Sequence, residues 1–202
     1  MTIRAVYFDL GGVIVRTEYQ APRQHLAERL GIEYEELVRL VFESDASRQA
    51  SLGSISEDSL WTQITSSLNL PESETASIRE AFFAGDVIDH ALLGFMRSLH
   101  RDHKVGLISN AWSGLRAWIM SRRFEDAFDS MIISAEVGVM KPDARIYQLA
   151  LATLGVSASE SVFIDDFPEN VAGAREIGMH AIHFKQTEQT VEELKHLLAN
   201  QS

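Results

Sequence analysis

Ile3-Arg4-Ala5-Val6-Tyr7-Phe8-Asp9-Leu10-Gly11-Gly12 is an apolar, β-rich run that ends on one carboxylate and breaks at two glycines. It reads as a buried strand over Ile3–Asp9 followed by a tight turn. A strand this continuously apolar implies a parallel sheet covered on both faces. Similar runs recur at Lys104–Ser109, Ser130–Ser134, Ser161–Asp165 and His180–Phe184. Helical spacings lie between them: Ile88, Leu92, Met96 and Leu99; Leu115, Trp118 and Ile119; Ile146, Leu149, Ala150 and Leu154; Val171, Ala174 and Ile177. Gly155 and Gly178 are natural stops, and Val191, Leu194 and Leu198 close the chain. Strand–helix alternation of this kind predicts an α/β fold with a doubly wound parallel sheet.

One segment breaks the alternation. Between about Val15 and Asp86 no buried strand is evident, and four helical patterns stand instead, at Ala21–Leu30, Tyr34–Glu43, Glu57–Leu68 and Glu72–Phe83. Ser56 suits the N-cap of the third, with Glu57 and Asp58 favoured by the helix dipole. The expectation is a discontinuous core, 1–15 and 87–202, with an all-α insertion at 16–86.

The 202 residues suit one domain, or one core with an insertion. Apolar residues, 46%, suffice for a sizeable core. The formal net charge of −11 disfavours a nucleic-acid partner, because acidic chains repel phosphate backbones. A small phosphorylated molecule is compatible with that charge if local cations and a metal offset it. The absence of cysteine excludes disulfides, cysteine zinc sites and thiol catalysis. The apolar run ending at Phe8 is too short for a signal peptide, and no stretch approaches the ~20 apolar residues of a membrane span. The expectation is a cytoplasmic protein with no membrane partner.

Ligands of open α/β sheets bind beyond the carboxyl ends of the strands. The strand ends here carry Asp9, then Ser109-Asn110, then Lys141-Pro142-Asp143 after a short loop, then Asp165-Asp166. Each piece alone has an ordinary structural reading as a turn, a cap or a solvated lysine. Their order along one sheet edge is what points to chemistry. Three carboxylates together need a cation, or some must protonate. All-oxygen ligands suit Mg²⁺, which keeps several waters and accepts phosphate oxygens. Asp9 and Asp166 can supply carboxylates, and the main-chain carbonyl of Gly11 a third oxygen. Lys141 can balance charge and hold a phosphate oxygen. Ser109 and the glycine-turn amides can hold another, beside a carboxylate nucleophile.

These residues resemble the haloacid dehalogenase-like (HAD) hydrolase superfamily. The motifs are Phe8-Asp9-Leu10-Gly11-Gly12-Val13-Ile14, Leu107-Ile108-Ser109-Asn110, Val139-Met140-Lys141-Pro142-Asp143, and Phe163-Ile164-Asp165-Asp166 continued by Asn170 and Ala172-Gly173-Ala174. They span nearly the whole chain, with the insertion where that family carries a cap. Gly53-Ser54-Ile55-Ser56 followed by Leu60-Trp61 is similar to the cap of a subgroup that includes sugar-1-phosphate phosphatases and the phosphatase domain of soluble epoxide hydrolases. The resemblance implies a Rossmann-like core and Mg²⁺-dependent hydrolysis of a small phosphorylated metabolite, such as a sugar phosphate, through an aspartyl-phosphate. It implies Asp9 as nucleophile and metal ligand, Ser109 and Asn110 as phosphate-binding pair, and Lys141 as the bridge between nucleophile and phosphate. It also implies Asp166 as metal ligand, with Asp165 beside it as a further ligand or a support. Gly11 departs from the family, which has an aspartate there as acid/base. That departure keeps two alternatives open: a 2-haloacid dehalogenase, whose chemistry has no need of Asp165-Asp166, and a weakly active or non-catalytic binding member. Arg16, Glu18, Tyr19 and His25 lie near the junction with the insertion, where a substitute proton donor could stand; Arg16 and Glu18 read as hinge or surface charges and His25 as a helix-surface histidine, while Trp112 reads as either pocket lining or packing.

Overall fold

Alternating strand residues of the core bury on opposite faces of one sheet. Val6, Phe8, Val105, Leu107, Val162 and Ile164 pack into one apolar cluster, and Ala5, Tyr7, Ile108 and Phe163 into another. The period-2 geometry of a strand produces this split, and helices on both faces complete it. The computed structural model describes residues 2–199. Residues 1 and 200–202, the outermost positions of the expected core boundaries, lie outside the described residues.

In chain order the elements are β1 (Ala5–Phe8), β2 (Val15–Thr17), α1 (Ala21–Leu30), α2 (Tyr34–Phe42), α3 (Asp45–Ser51), α4 (Glu57–Ser67), α5 (Thr75–Phe83), β3 (Asp86–Ile88) and α6 (His90–Leu99). There follow β4 (Lys104–Ser109), α7 (Leu115–Ser121), β5 (Ser130–Ile133), α8 (Ser134–Val137), α9 (Ala144–Leu154), β6 (Ser161–Asp165), α10 (Pro168–Glu176), β7 (His180–His183) and α11 (Thr187–Ala199). Five strands form a parallel sheet in the order β5-β4-β1-β6-β7. Helices α6 and α11 supply Leu92, Leu93, Met96, Leu99 and Leu194 to one face. Helix α9 supplies Ile146, Tyr147, Ala150, Leu151 and Leu154 to the other, and α10 adds Ala174. The fold is the expected doubly wound α/β core. Among the described residues, no helix is long and apolar enough to cross a membrane.

The insertion's helices build their own cluster from Leu26, Leu37, Val41, Leu60, Trp61, Ile64, Ile78 and Phe82. The expected Ser56 cap of α4 is present: its hydroxyl accepts from Ser59 N at 3.1 Å. Two details differ from the sequence pattern. Helix α3 was not anticipated, because Asp45-Ala46-Ser47-Arg48-Gln49-Ala50-Ser51 has no large apolar residue to show a period; it buries only Ser47, Ala50 and Ser51. The helix expected from Glu72 begins at Thr75, after a 3₁₀ turn over Glu72–Glu74 that buries no side chain. Nothing apolar ties that turn to the α-helical repeat.

Strands β2 and β3 pair antiparallel, Val15 with Ile88 and Thr17 with Asp86, so the expected boundaries at 15/16 and 86/87 run through a two-stranded ribbon. Asp89 ends this ribbon and caps α6. Its carboxylate accepts from Leu92 N at 2.8 Å, Arg16 Nη2 at 2.9 Å and Thr187 Oγ1 at 2.5 Å. Burial alone would raise this carboxyl, but the hydrogen bonds from Thr187, Leu92 and Arg16, with the charge of Arg16, outweigh it and hold it below the usual carboxylate range. A folded-state value below the unfolded one stabilises the protein above the usual carboxylate range, and that contribution is lost as pH falls through the folded value. Asp89→Ala is expected to cost about 1–3 kcal/mol in urea unfolding at pH 7, with the gap to wild type closing in acid.

Candidate active site

The chain leaves β1 towards β4 and β5 on one side of the sheet and returns to β6 and β7 on the other. The crevice between β1 and β6 is therefore the point where the winding reverses, the usual ligand site of such sheets. Asp9 directly follows β1, and its N–H donates to Ile164 O at 2.9 Å. Asp165 is the last residue of β6, and Asp166 follows it. Oxygens of Asp9, Asp165 and Asp166 all lie within 4.8 Å of one another.

Lys141 lies among them. Its Nζ is 2.9 Å from Asp9 Oδ1 and 2.6 Å from Asp165 Oδ2, and its side chain is fully buried. Asn110 holds this lysine's main chain at both ends: Nδ2 donates to Lys141 O at 3.0 Å, and Oδ1 accepts from Lys141 N at 2.8 Å. The Asn110 amide is thus engaged on the lysine loop. Ser109, buried at the end of β4, lies beside it in sequence.

The two neighbouring acids of β6 have different surroundings. Asp165 uses both oxygens, on Phe167 N (2.8 Å), Asn170 Nδ2 (3.0 and 3.1 Å) and Lys141. Asp166 Oδ1 is buried without a hydrogen-bond partner. The glycine turn explains how Asp166 fits. Gly12 has φ +76°, and a Cβ there would stand 2.0 Å from Asp166 Oδ2, so only glycine allows both the left-handed backbone and the close approach. Gly11 is different: nothing lies within 4 Å of its Cβ position. The missing carboxylate is not a steric necessity.

Charge does not balance within this group. One buried lysine faces three carboxylates. Burial first, and then the Asp165 charge, push the Asp9 carboxyl up to about 7 against the pull of Lys141. Burial and Asp165 likewise push Asp166 up to about 6. A divalent cation removes this conflict without protonation. The orphaned Asp166 oxygen, the all-oxygen donors and the excess negative charge fit Mg²⁺.

Other residues fall outside this group. Arg16 is engaged by Val13 O, Glu18, Asp89 and Thr187, and His25 is exposed on α1. Two clefts of about 280 Å³ are lined by other residues altogether, one by Arg4, His100, Asp102, His103, Lys104 and Asp129, the other at the ribbon end beside Arg16 and Lys185. Sequence reasoning did not foresee the grip of Asn170 on Asp165. The available signal was an amide in the first turn of the helix after Asp165-Asp166. It also missed Glu57, whose carboxylate reaches from α4 to Gly114 N at 3.1 Å; no local pattern announces such a contact.

A family model described as haloacid dehalogenase-like hydrolase matches residues 3–178. Across 98% of this chain and 97% of the other, the sequence is 28% identical to sesquiterpene phosphatase astK of Aspergillus oryzae. It is also 28% identical to bifunctional epoxide hydrolase 2 of Rattus norvegicus, covering all of this chain and 40% of that protein. Among solved structures, a HAD family enzyme of Bacteroides thetaiotaomicron, in complex with magnesium and inorganic phosphate, superposes with a TM-score of 0.75 at 21% identity, over 91% of this chain and 94% of that one.

Proposed function

The chain belongs to the haloacid dehalogenase-like hydrolases, and we propose that it is a magnesium-dependent phosphatase of a small phosphorylated metabolite, working through an aspartyl-phosphate on Asp9. One observation carries the reading: three converging carboxylates, one of them with an orphaned buried oxygen, held at the sheet's winding reversal with a single lysine. A dehalogenase has no use for the unpaired Asp166. The phosphatase name of the Aspergillus relative, matched over 97% of its own length, agrees.

Asp9, Asp166 and the Gly11 carbonyl would hold Mg²⁺, which neutralises charge on the phosphate and the carboxylates. Asp165 is the support rather than a ligand, because its oxygens are engaged by Lys141, Asn170 and Phe167 N. An Asp9 oxygen attacks phosphorus; the bond from phosphorus to the leaving oxygen breaks, and that oxygen departs with the electron pair. Lys141 fixes Asp9 and faces the incoming phosphate. Ser109 Oγ and nearby main-chain N–H groups bind the remaining phosphate oxygens, while the Asn110 side chain keeps the Lys141 loop in place. Water then cleaves the acyl phosphate and regenerates Asp9.

Gly11 supplies no proton to the leaving oxygen. The substrate therefore carries an activated leaving group, such as an anomeric sugar or aryl phosphate. Gly11→Asp fits the open space there and is expected to raise hydrolysis of alkyl phosphates by roughly 10²-fold or more while changing aryl phosphates little. Steady-state rates on both classes check this. The function itself is tested by measuring phosphate release from aryl phosphates and chloride release from 2-haloacids, each with Mg²⁺ and with EDTA. Chloride release without phosphate release would replace the phosphatase with the dehalogenase.

A further inference from the structure

The loop Asn110–Gly114 joins Ser109, at the phosphate side of the site, to α7, and each of its residues is held by a segment outside it. The core holds the first two. The Asn110 side chain is bonded to the Lys141 main chain, and Ala111 donates from N to Ser134 Oγ at 3.0 Å and accepts at O from Ala135 N at 3.3 Å. The insertion holds the last three. The Trp112 ring stacks on Phe42 of α2 at 6.1 Å and meets Trp61 of α4 and Phe83 of α5 edge-on at 5.9 and 6.3 Å. Ser113 Oγ accepts from Glu57 N at 3.3 Å, and Gly114 N donates to Glu57 Oε2 at 3.1 Å.

Glu57 is the charged member of this contact. It is buried at the start of α4, and Arg79 of α5 pairs with its other oxygen at 2.6 Å. Arg79 belongs to the insertion as well, so it fixes the carboxylate in place for Gly114. The fit is close: a Cβ at Gly114 would stand 2.1 Å from Glu57 Oε2 and push the carboxylate away. Four residues before Glu57, Gly53 makes a second close approach. Its φ is +72°, and a Cβ there would stand 2.1 Å from Ala135 O, on the core segment that also holds Ala111. Lifting the insertion here would break the Glu57 hydrogen bond, open both glycine contacts and pull Trp112 from three rings.

Resting on the phosphatase reading, we propose that Glu57 is a positioning residue. Through Gly114 it holds the loop behind Ser109 in its phosphate-binding shape, so the insertion is a fixed wall of the site and not a lid that lifts at this contact. The measurements are kcat and KM for 4-nitrophenyl phosphate with Mg²⁺, and inhibition by inorganic phosphate, below the melting temperature of each variant. Glu57→Ala is expected to lower kcat/KM about 10- to 100-fold and to weaken phosphate inhibition, because small displacements of a binding group cost rate steeply. Gly114→Ala, which displaces the carboxylate without removing it, should reproduce this loss. Glu57→Gln still accepts from Gly114 N and should keep most of the activity. A residue needed only for stability would lower the melting temperature and leave both constants of the folded variants unchanged, which overturns the proposal. The chain has no cysteine, so Glu57→Cys with Gly114→Cys allows one clean crosslink across the contact. Reduced with dithiothreitol, this variant should match Glu57→Ala; oxidised with diamide, with closure shown by loss of free thiols, it should regain most of the wild-type activity. Activity that falls on oxidation and returns on reduction means that the insertion must lift, and overturns the fixed wall. Activity indifferent to the crosslink overturns the positioning role. If the pair does not close, the Glu57→Ala, Gly114→Ala and Glu57→Gln results decide alone. All of these outcomes leave the phosphatase standing, whereas no phosphate release by wild type overturns that reading and the positioning role with it.

Discussion

Asp9→Asn is expected to lower phosphate release by roughly 10⁴- to 10⁶-fold, the scale seen when a covalent nucleophile is removed. The amide keeps the shape of the carboxylate but cannot form the phosphoenzyme. A purely structural carboxylate would respond differently, because its loss would appear first as instability. Here the expected sign is the reverse. Burial and the Asp165 charge push Asp9 up to about 7, above its unfolded value. A carboxyl raised in the folded state costs stability as pH rises from about 4 to about 7, and the full cost remains above that. In EDTA at pH 8, Asp9→Asn should therefore melt at or above the wild-type temperature, and the difference should vanish in acid. Adding Mg²⁺ should stabilise wild type more than the variant. Calorimetric melting curves at pH 4 and pH 8, with and without Mg²⁺, check all three. A variant that melts well below wild type in EDTA at pH 8 would count against the crowded-charge reading.

Lys141→Met is expected to remove activity and, unlike Asp9→Asn, to destabilise by about 3–5 kcal/mol in urea unfolding without metal. The methionine fills similar volume, so the effect is electrostatic. Asp9 and Asp165 lose the buried ammonium that both engage, 2.9 and 2.6 Å away. Asp165 retains Asn170 and Phe167 N but no positive charge. Lys141→Met combined with Asp165→Asn should recover much of the stability and none of the activity. That split separates charge balance from catalysis, since a lysine needed only for folding would regain activity with stability.

Much of this site was legible because strand ends are. An apolar run that closes on Asp9, or on Asp165-Asp166, announces both a buried strand and a charged edge, and a parallel sheet brings such edges together whatever the strand order. The same reasoning placed Ser109 and Lys141. It gave Asp166 to the metal but left Asp165, adjacent and chemically identical, open between a further ligand and a support. Their difference arises from Lys141 and Asn170, 24 residues before and five after Asp165, which engage one carboxylate and leave the other orphaned. The Asn110 amide likewise reads as a phosphate contact in sequence, whereas in the fold its oxygen and nitrogen are both bonded to the Lys141 main chain. Helix α3 leaves no apolar period in the sequence because its buried residues are small or polar.

By itself the sequence determined the doubly wound core, the helical insertion, the carboxylate-rich edge and the glycine where an acid/base would stand. All of these follow from local pattern: periodicity, turn residues and the chemistry of single side chains. Only the tertiary structure decided which acid is paired and which is orphaned, that Gly11 has room for a side chain while Gly12 has none, and that Trp112 carries the core loop into the insertion's aromatic cluster. Those outcomes depend on contacts between segments far apart in the chain, whose distances are set by packing and charge balance and leave no periodic mark on either segment alone.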